Sequence, residues 1–147
     1  MEESGEINGE SGDERWIVDP IDGTTNFLHG IPHFAISIGV ERDGNLIAGV
    51  VYEPIHDQLF WAENGAGSYL NRKRLRVSER STLADSLIAT GIPFGNRIGK
   101  KSFIAMLNAV MKKTSGVRRL GSASLDLAYV AAGRYEGFWE TGLSPWD

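Results

Sequence analysis

The chain has 147 residues, 41% of them hydrophobic and 23% charged, with a formal net charge of −4. That is apolar enough for one core, in a single domain or part of one. The absence of cysteine excludes a disulfide framework, a zinc–thiolate site and thiol catalysis and fits an intracellular, cytoplasmic location; no apolar run reaches the roughly 18 residues of a membrane helix, and the acidic balance argues against a dedicated nucleic-acid binder.

Charge is unevenly placed. Residues 1–14 hold six acids and no base, with Ile7 the one large aliphatic residue besides Met1. This composition predicts a solvated, mobile N-terminal segment. From Arg15 the pattern changes. Arg15 to Asp19 is a short β-rich run. Phe34 to Glu41 alternates, with Phe34, Ile36, Ile38 and Val40 on one face and Ala35, Ser37 and Gly39 on the other. Period two means a strand, and the small residues predict close approach of another layer. Asp43-Gly44 signals a hairpin, with Leu46 to Tyr52 as the return strand. Gln58 to Ala62 and Gly67 to Leu70 continue the meander.

Lys100 to Lys113 reads as a helix, with Phe103, Ile104, Leu107, Val110 and Met111 as its apolar stripe. Val117 to Leu120 reads as a strand. Gly121-Ser122-Ala123-Ser124 opens a second helix that Gly133 closes, and Tyr135 to Glu140 is a further strand. Strands followed by helix, strand, helix and strand predict a mixed α/β layered sandwich. The four tryptophans, Trp16, Trp61, Trp139 and Trp146, are expected in the core or at its rim.

The segment Asp19-Pro20-Ile21-Asp22-Gly23-Thr24-Thr25-Asn26 carries the chemistry. Pro20 stiffens the turn and Gly23 permits a tight backbone. Such a turn can aim two carboxylates and several N–H groups at one point. Carboxylates suit hard divalent cations, and exposed N–H groups suit phosphate. Spacing alone leaves a purely structural Asx-turn open.

The run Asp19-Pro-Ile-Asp-Gly-Thr-Thr-Asn-Phe27 resembles the signature of the inositol monophosphatase family of Mg²⁺-dependent, lithium-inhibited phosphatases. Trp146-Asp147 resembles the start of that family's second signature, and Glu2-Glu3-Ser4 its upstream acidic motif. Gly121-Ser-Ala through Gly133, with Glu140, is similar to the bacterial members. The resemblance implies the sugar-phosphatase fold, here as one partial domain over residues 1–147 truncated at both ends. It implies that Glu2, Asp19 and the Ile21 carbonyl hold a first metal. Asp19, Asp22 and Asp147 would hold a second, with two or three Mg²⁺ in all and Li⁺ as inhibitor. Thr24, with Asp22, would serve catalysis by orienting water. Gly23 and Thr24 would take phosphate oxygens, and Asp22, Ala123 and Glu140 would contact inositol hydroxyls beside Gly121. Paired metals neutralise a phosphate monoester and activate water.

The resemblance also implies a longer enzyme continuing past Trp146-Asp147. Asp147 is therefore expected to be poorly placed, and the isolated chain to turn over weakly or not at all. A homodimer is a further expectation. The alternatives are a non-catalytic fragment acting through binding, and a related phosphatase acting on another sugar or nucleotide phosphate. His29, His33 and His56 lack zinc spacing and read as loop residues. Gly91 to Ser102 fails the P-loop spacing. Arg72, Lys73, Arg74 and Arg76 read as a solvated hairpin tip. Bacterial members of the family also serve in transcription antitermination complexes, which leaves an RNA or transcription partner open. Of Arg118 and Arg119, one faces the site or a subunit interface, or the pair supplies a strand-end salt bridge; the sequence leaves both open.

Overall fold

A computed structural model of the chain describes residues 5–8, 14–93 and 100–147, with only the backbone of residues 5–8 and of Lys100. The strands are β1 (Gly5–Asn8), β2 (Glu14–Asp22), β3 (Ala35–Arg42), β4 (Asn45–Glu53), β5 (Gln58–Glu63), β6 (Gly67–Leu70), β7 (Lys73–Arg74), β8 (Leu87–Thr90), β9 (Gly116–Arg118) and β10 (Gly137–Trp139). The helices are α1 (Thr24–Leu28), α2 (Lys100–Met111) and α3 (Ala123–Ala131). β1 to β7 form an antiparallel meander in chain order. β10, β8 and β9 form a second, parallel sheet in that order.

Local chemistry explains the meander. Asp43 and Gly44 both have positive φ, 51° and 74°, the mirror-image turn that matches strand twist. At the β6–β7 turn, Asn71 has φ 52°. Its side chain accepts from the Leu59 N–H at 2.8 Å and donates to the Asp57 carbonyl at 3.2 Å, so it supports the neighbouring loop as well.

α3 packs on β3 and β4 and also touches β10, so it is the layer between the sheets. Leu125 and Ala128 meet Ala35 and Phe60 in a buried cluster edged by Val51, Leu70, Leu75 and Tyr129. The small face of β3 admits the helix, as its sequence predicts. Burying a side chain such as Leu125 contributes about 2 kcal/mol. α2 seats Phe103 against Trp139, with ring centroids 6.2 Å apart.

Several elements differ from the sequence reading. Residues 5–8, read as part of a mobile segment, form a strand paired with Arg15 to Val18 of β2. Backbone pairing needs no apolar side chain, so polar composition hid it. β2 runs on through Pro20 to Asp22. Trp16 is 46% exposed rather than core, because its side of the sheet is opposite α3. On α2, Ile104 and Met111 are exposed, so the buried stripe is narrower than predicted and centres on Phe103. Among the described residues no helix is long and apolar enough to cross a membrane.

Candidate active site

Pro20 lacks an N–H, and the β2–β3 ladder skips from the Asp19–Ser37 pair to the Asp22–Ala35 pair. Within this kink the Asp19 Oδ1 accepts the Ile21 N–H at 3.0 Å. Gly23 follows at φ 90°. A Cβ there would stand 3.1 Å from the carbonyl oxygens of both Gly121 and His33, so glycine is required by conformation and by space. α1 then begins with Thr24, whose hydroxyl donates to the Ile21 carbonyl at 2.8 Å. Asn26 is buried, and its Nδ2 donates to the His33 carbonyl at 2.7 Å and the Leu120 carbonyl at 2.8 Å. This amide clamps α1 to the turn between β9 and α3.

Asp22 has a divided role. Its Oδ2 accepts the Ser122 hydroxyl at 2.5 Å, the Ser124 N–H at 2.8 Å and the Ser124 hydroxyl. Ser122 stands at the N-cap of α3 yet makes no side-chain cap bond to that helix. A carboxylate from β2 caps α3 instead, where the helix dipole favours negative charge.

Asp147 is also held in place, contrary to expectation. Its N–H reaches the Ser144 carbonyl at 3.1 Å and its Oδ2 accepts the Ser144 N–H at 2.6 Å. This local turn does the placing that was expected to need a following helix. One carboxylate oxygen from each of Asp19, Asp22 and Asp147 lies within 4.8 Å of the others. Asp19 and Asp22 are both 6% exposed. An all-oxygen set of crowded, mostly buried carboxylates fits a hard divalent cation. Glu2 lies outside the described residues.

The parallel sheet supplies the other wall. Chain leaves β8, β9 and β10 at Gly91, Arg119 and Glu140, at the carboxyl edge where ligands of parallel sheets bind. The Glu140 carboxyl occupies the space over Gly91, so that a Cβ on Gly91 would come within 2.0 Å of all three of its atoms. Gly121 has φ 93°, and a Cβ there would be 2.8 Å from the Arg119 Nη1. Arg119 is thus the arginine of the pair that lies against the Gly121 turn. Ala123, the first residue of α3, is 8% exposed. Asp19, Asp22 and Asp147 are brought together, and Gly23 meets Gly121. Glu140 stands on the parallel-sheet side.

The sequence reading missed Asp126. It is 1% exposed, its N–H donates to the Ser122 carbonyl at 3.0 Å, and its Oδ1 has no hydrogen-bond partner among the described residues. Burial, then Glu140 and Asp22, push its carboxyl up to about 7, against a smaller opposing pull from Arg119. It sits inside an apolar run, Leu125 to Tyr129, where a single acid reads as the polar side of a helix. Glu53, 1% exposed, was also unforeseen, and is structural. Its carboxylate accepts the N–H groups of Ile55 and His56 and pairs with the His56 Nδ1 at 2.8 Å. His33 lies in the loop ahead of β3, as read, but is half-buried there, and burial lowers its pKa.

A family model described as the inositol monophosphatase family matches residues 1–147. An inositol-1-monophosphatase of Mesorhizobium japonicum is 58% identical over 147 residues, covering 100% of this chain and 55% of the relative. The Nus factor SuhB of Escherichia coli K12 is 47% identical over 146 residues, covering 99% and 55%. The crystal structure of the extragenic suppressor protein suhB from Bartonella henselae superposes with a TM-score of 0.93 at 56% identity, covering 100% of this chain and 57% of that one. An inositol monophosphatase structure from Anabaena gives 0.84 at 43% identity, covering 92% and 56%. The chain spans about half the length of the curated relatives it matches.

Proposed function

The chain belongs to the inositol monophosphatase family, and on that footing we propose that its site hydrolyses a phosphate monoester of inositol or a similar polyol with Mg²⁺. The observation that carries the reading is the meeting of Asp19, Asp22 and Asp147 within 4.8 Å, two of them buried. Asp19, Asp22 and Asp147, with the Ile21 carbonyl and Glu2, are the residues that would hold two or three ions. Bound Mg²⁺ would neutralise the phosphate and lower the pKa of water. Li⁺ would compete for the same oxygen ligands.

The chain's own residues would do the rest. The Thr24 hydroxyl, fixed by its donation to the Ile21 carbonyl, would orient a water. The N–H groups of Gly23 and Thr24, at the start of α1, suit phosphate oxygens. Glu140, Asp22 and Ala123, around the Gly121 turn, would meet the ring hydroxyls. The Asp22 bonds to Ser122 and Ser124 leave its other oxygen for the acid cluster.

The test is phosphate release from inositol 1-phosphate by the purified chain, with and without Mg²⁺, beside Asp22→Asn. The asparagine keeps an oxygen to accept from Ser124, so α3 stays capped. Whatever release the chain gives, weak as its sequence leads one to expect, should depend on Mg²⁺ and be lost in the variant. Release that ignores both Mg²⁺ and Asp22→Asn refutes the reading. A second reading, a transcription partner, is favoured by relatives named Nus factor SuhB at 45–51% identity. A homodimer remains part of the proposal.

A further inference from the structure

We propose that Ser122 and Ser124 are positioning residues for Asp22: their hydroxyls pin one carboxylate oxygen, Oδ2, and so turn the other, Oδ1, toward the acid cluster. The inference rests on the reading of Asp22 as an ion ligand.

A carboxylate turns about a broad, roughly two-fold torsion, so nothing within aspartate decides which oxygen faces which way. Here the neighbours decide it. The Ser122 hydroxyl at 2.5 Å, the Ser124 N–H at 2.8 Å and the Ser124 hydroxyl converge on Oδ2, and none of the three is made to Oδ1. Ser122 is 1% exposed and Ser124 3%, so bulk water does not compete for these bonds. All three donors are neutral. They fix the carboxylate without cancelling the charge that a divalent cation would meet.

Helix capping accounts for one of the three bonds. The first N–H groups of a helix have no partner within it, and Asp22 serves the one on Ser124. An N-cap hydroxyl ordinarily turns back to accept an N–H of its own helix. Ser122 has the extended backbone of an N-cap, φ −138° and ψ 107°, yet makes no such bond. It donates outward to Asp22 instead, and the Ser124 hydroxyl does the same. Two hydroxyls directed at one oxygen 100 and 102 residues away in the chain do more than capping asks.

The remaining freedom of Asp22 is removed from the backbone side. Asp22 ends β2 opposite Ala35 of β3, and Gly23 turns the chain directly after it at φ 90°. Sheet and turn thus set where the Asp22 Cα stands, and the serines of α3 set how its carboxylate is rotated. Partners that orient a metal ligand from behind change metal affinity by roughly 10–100-fold when removed.

The experiment titrates Mg²⁺ alone against the 147-residue chain, Ser122→Ala and Ser124→Ala, with thermal unfolding as the readout. Ser124→Ala keeps the backbone N–H that donates to Oδ2, so α3 stays capped. Each variant should need roughly ten-fold more Mg²⁺ to reach half of its stabilisation. A lower Tm in EDTA with an unchanged Mg²⁺ midpoint would mean a merely structural role and overturns the inference. A second arm needs no metal. In EDTA, the amide hydrogen of position 124 should exchange several-fold faster in both variants, because the carboxylate it donates to has lost a pin; an unchanged rate overturns the pinning. If one serine variant fails to fold, the other carries both arms. A parent chain that Mg²⁺ does not stabilise counts against the metal reading of the cluster, while the exchange arm judges the serines independently.

Discussion

Asn26→Asp replaces one atom and removes two hydrogen bonds. The Asn26 amide donates at 2.7 Å to the His33 carbonyl and at 2.8 Å to the Leu120 carbonyl from a side chain 6% exposed. Aspartate has the same shape and no donor at pH 7, and its oxygens would face two carbonyl oxygens. Leaving a buried acceptor unpaired costs about 1–3 kcal/mol. Leu120 is 37% exposed, so water can partly satisfy that carbonyl, and the lower half of the range applies to it. The sum is a loss of about 3 kcal/mol, or roughly 6–12 °C in Tm for a domain of this size. Urea unfolding should show a lower midpoint with an unchanged slope, since the surface exposed on unfolding is the same. The clamp also fixes the Gly23–Gly121 approach, so Mg²⁺ should stabilise the variant less than the parent. A loss under about 0.5 kcal/mol at pH 7 would show that water already serves both carbonyls, and the clamp argument would fail.

Two further outcomes are expected. Gly91→Ala puts a Cβ 1.8 Å from the Glu140 carboxyl carbon, the end of a flexible side chain. Stability should change by less than about 1 kcal/mol because the side chain swings away, while KM for inositol 1-phosphate rises several-fold; an unchanged KM in an active enzyme would exclude Glu140 as a substrate contact. Glu136 accepts the Leu87 N–H at 2.5 Å and pairs with Arg80 at 3.0 Å, and the Leu87 bond leads in holding its carboxyl below the usual range. That stability is present above pH 4.5 and is lost as pH falls through the depressed value, so Glu136→Gln should flatten the acid limb of a pH–Tm curve; an unaltered limb would place acid sensitivity elsewhere.

What the sequence made visible was whatever is contiguous. The Asp19 to Asn26 run carries its own turn, glycine and helix start, so two carboxylates of the cluster could be read from eight residues. The meander was legible for the same reason, as each strand pairs with its neighbour and the first hairpin turn announces itself at Asp43-Gly44. What could not be read is what packing decides. The capping of α3 by Asp22 joins residues 100 and 102 apart. Asp126 is marked only by burial, which no local pattern around it reveals. Asp147 was expected to be loose because helices usually place such acids, and a four-residue turn from Ser144 does it instead. Trp16 was expected in the core or at its rim because tryptophan usually packs there, yet strand alternation puts it, 46% exposed, on the side away from α3.

The separation of those contacts also sets the order in which the molecule is built. Hairpins close short loops and form early, so the seven-stranded meander can assemble one neighbour at a time. The bonds of Asp22 to Ser122 and Ser124, and of Asn26 to Leu120, close loops of 94 to 102 residues. Their chain-entropy cost falls due only once the sheet and α3 have already met. Kinetic barriers should therefore divide, with sheet residues governing how fast the chain collapses and the Asp22–Asn26 turn governing the final step. By the same reasoning this docking is the first to open under stress, so chemical competence would be lost while most of the strand structure still stands.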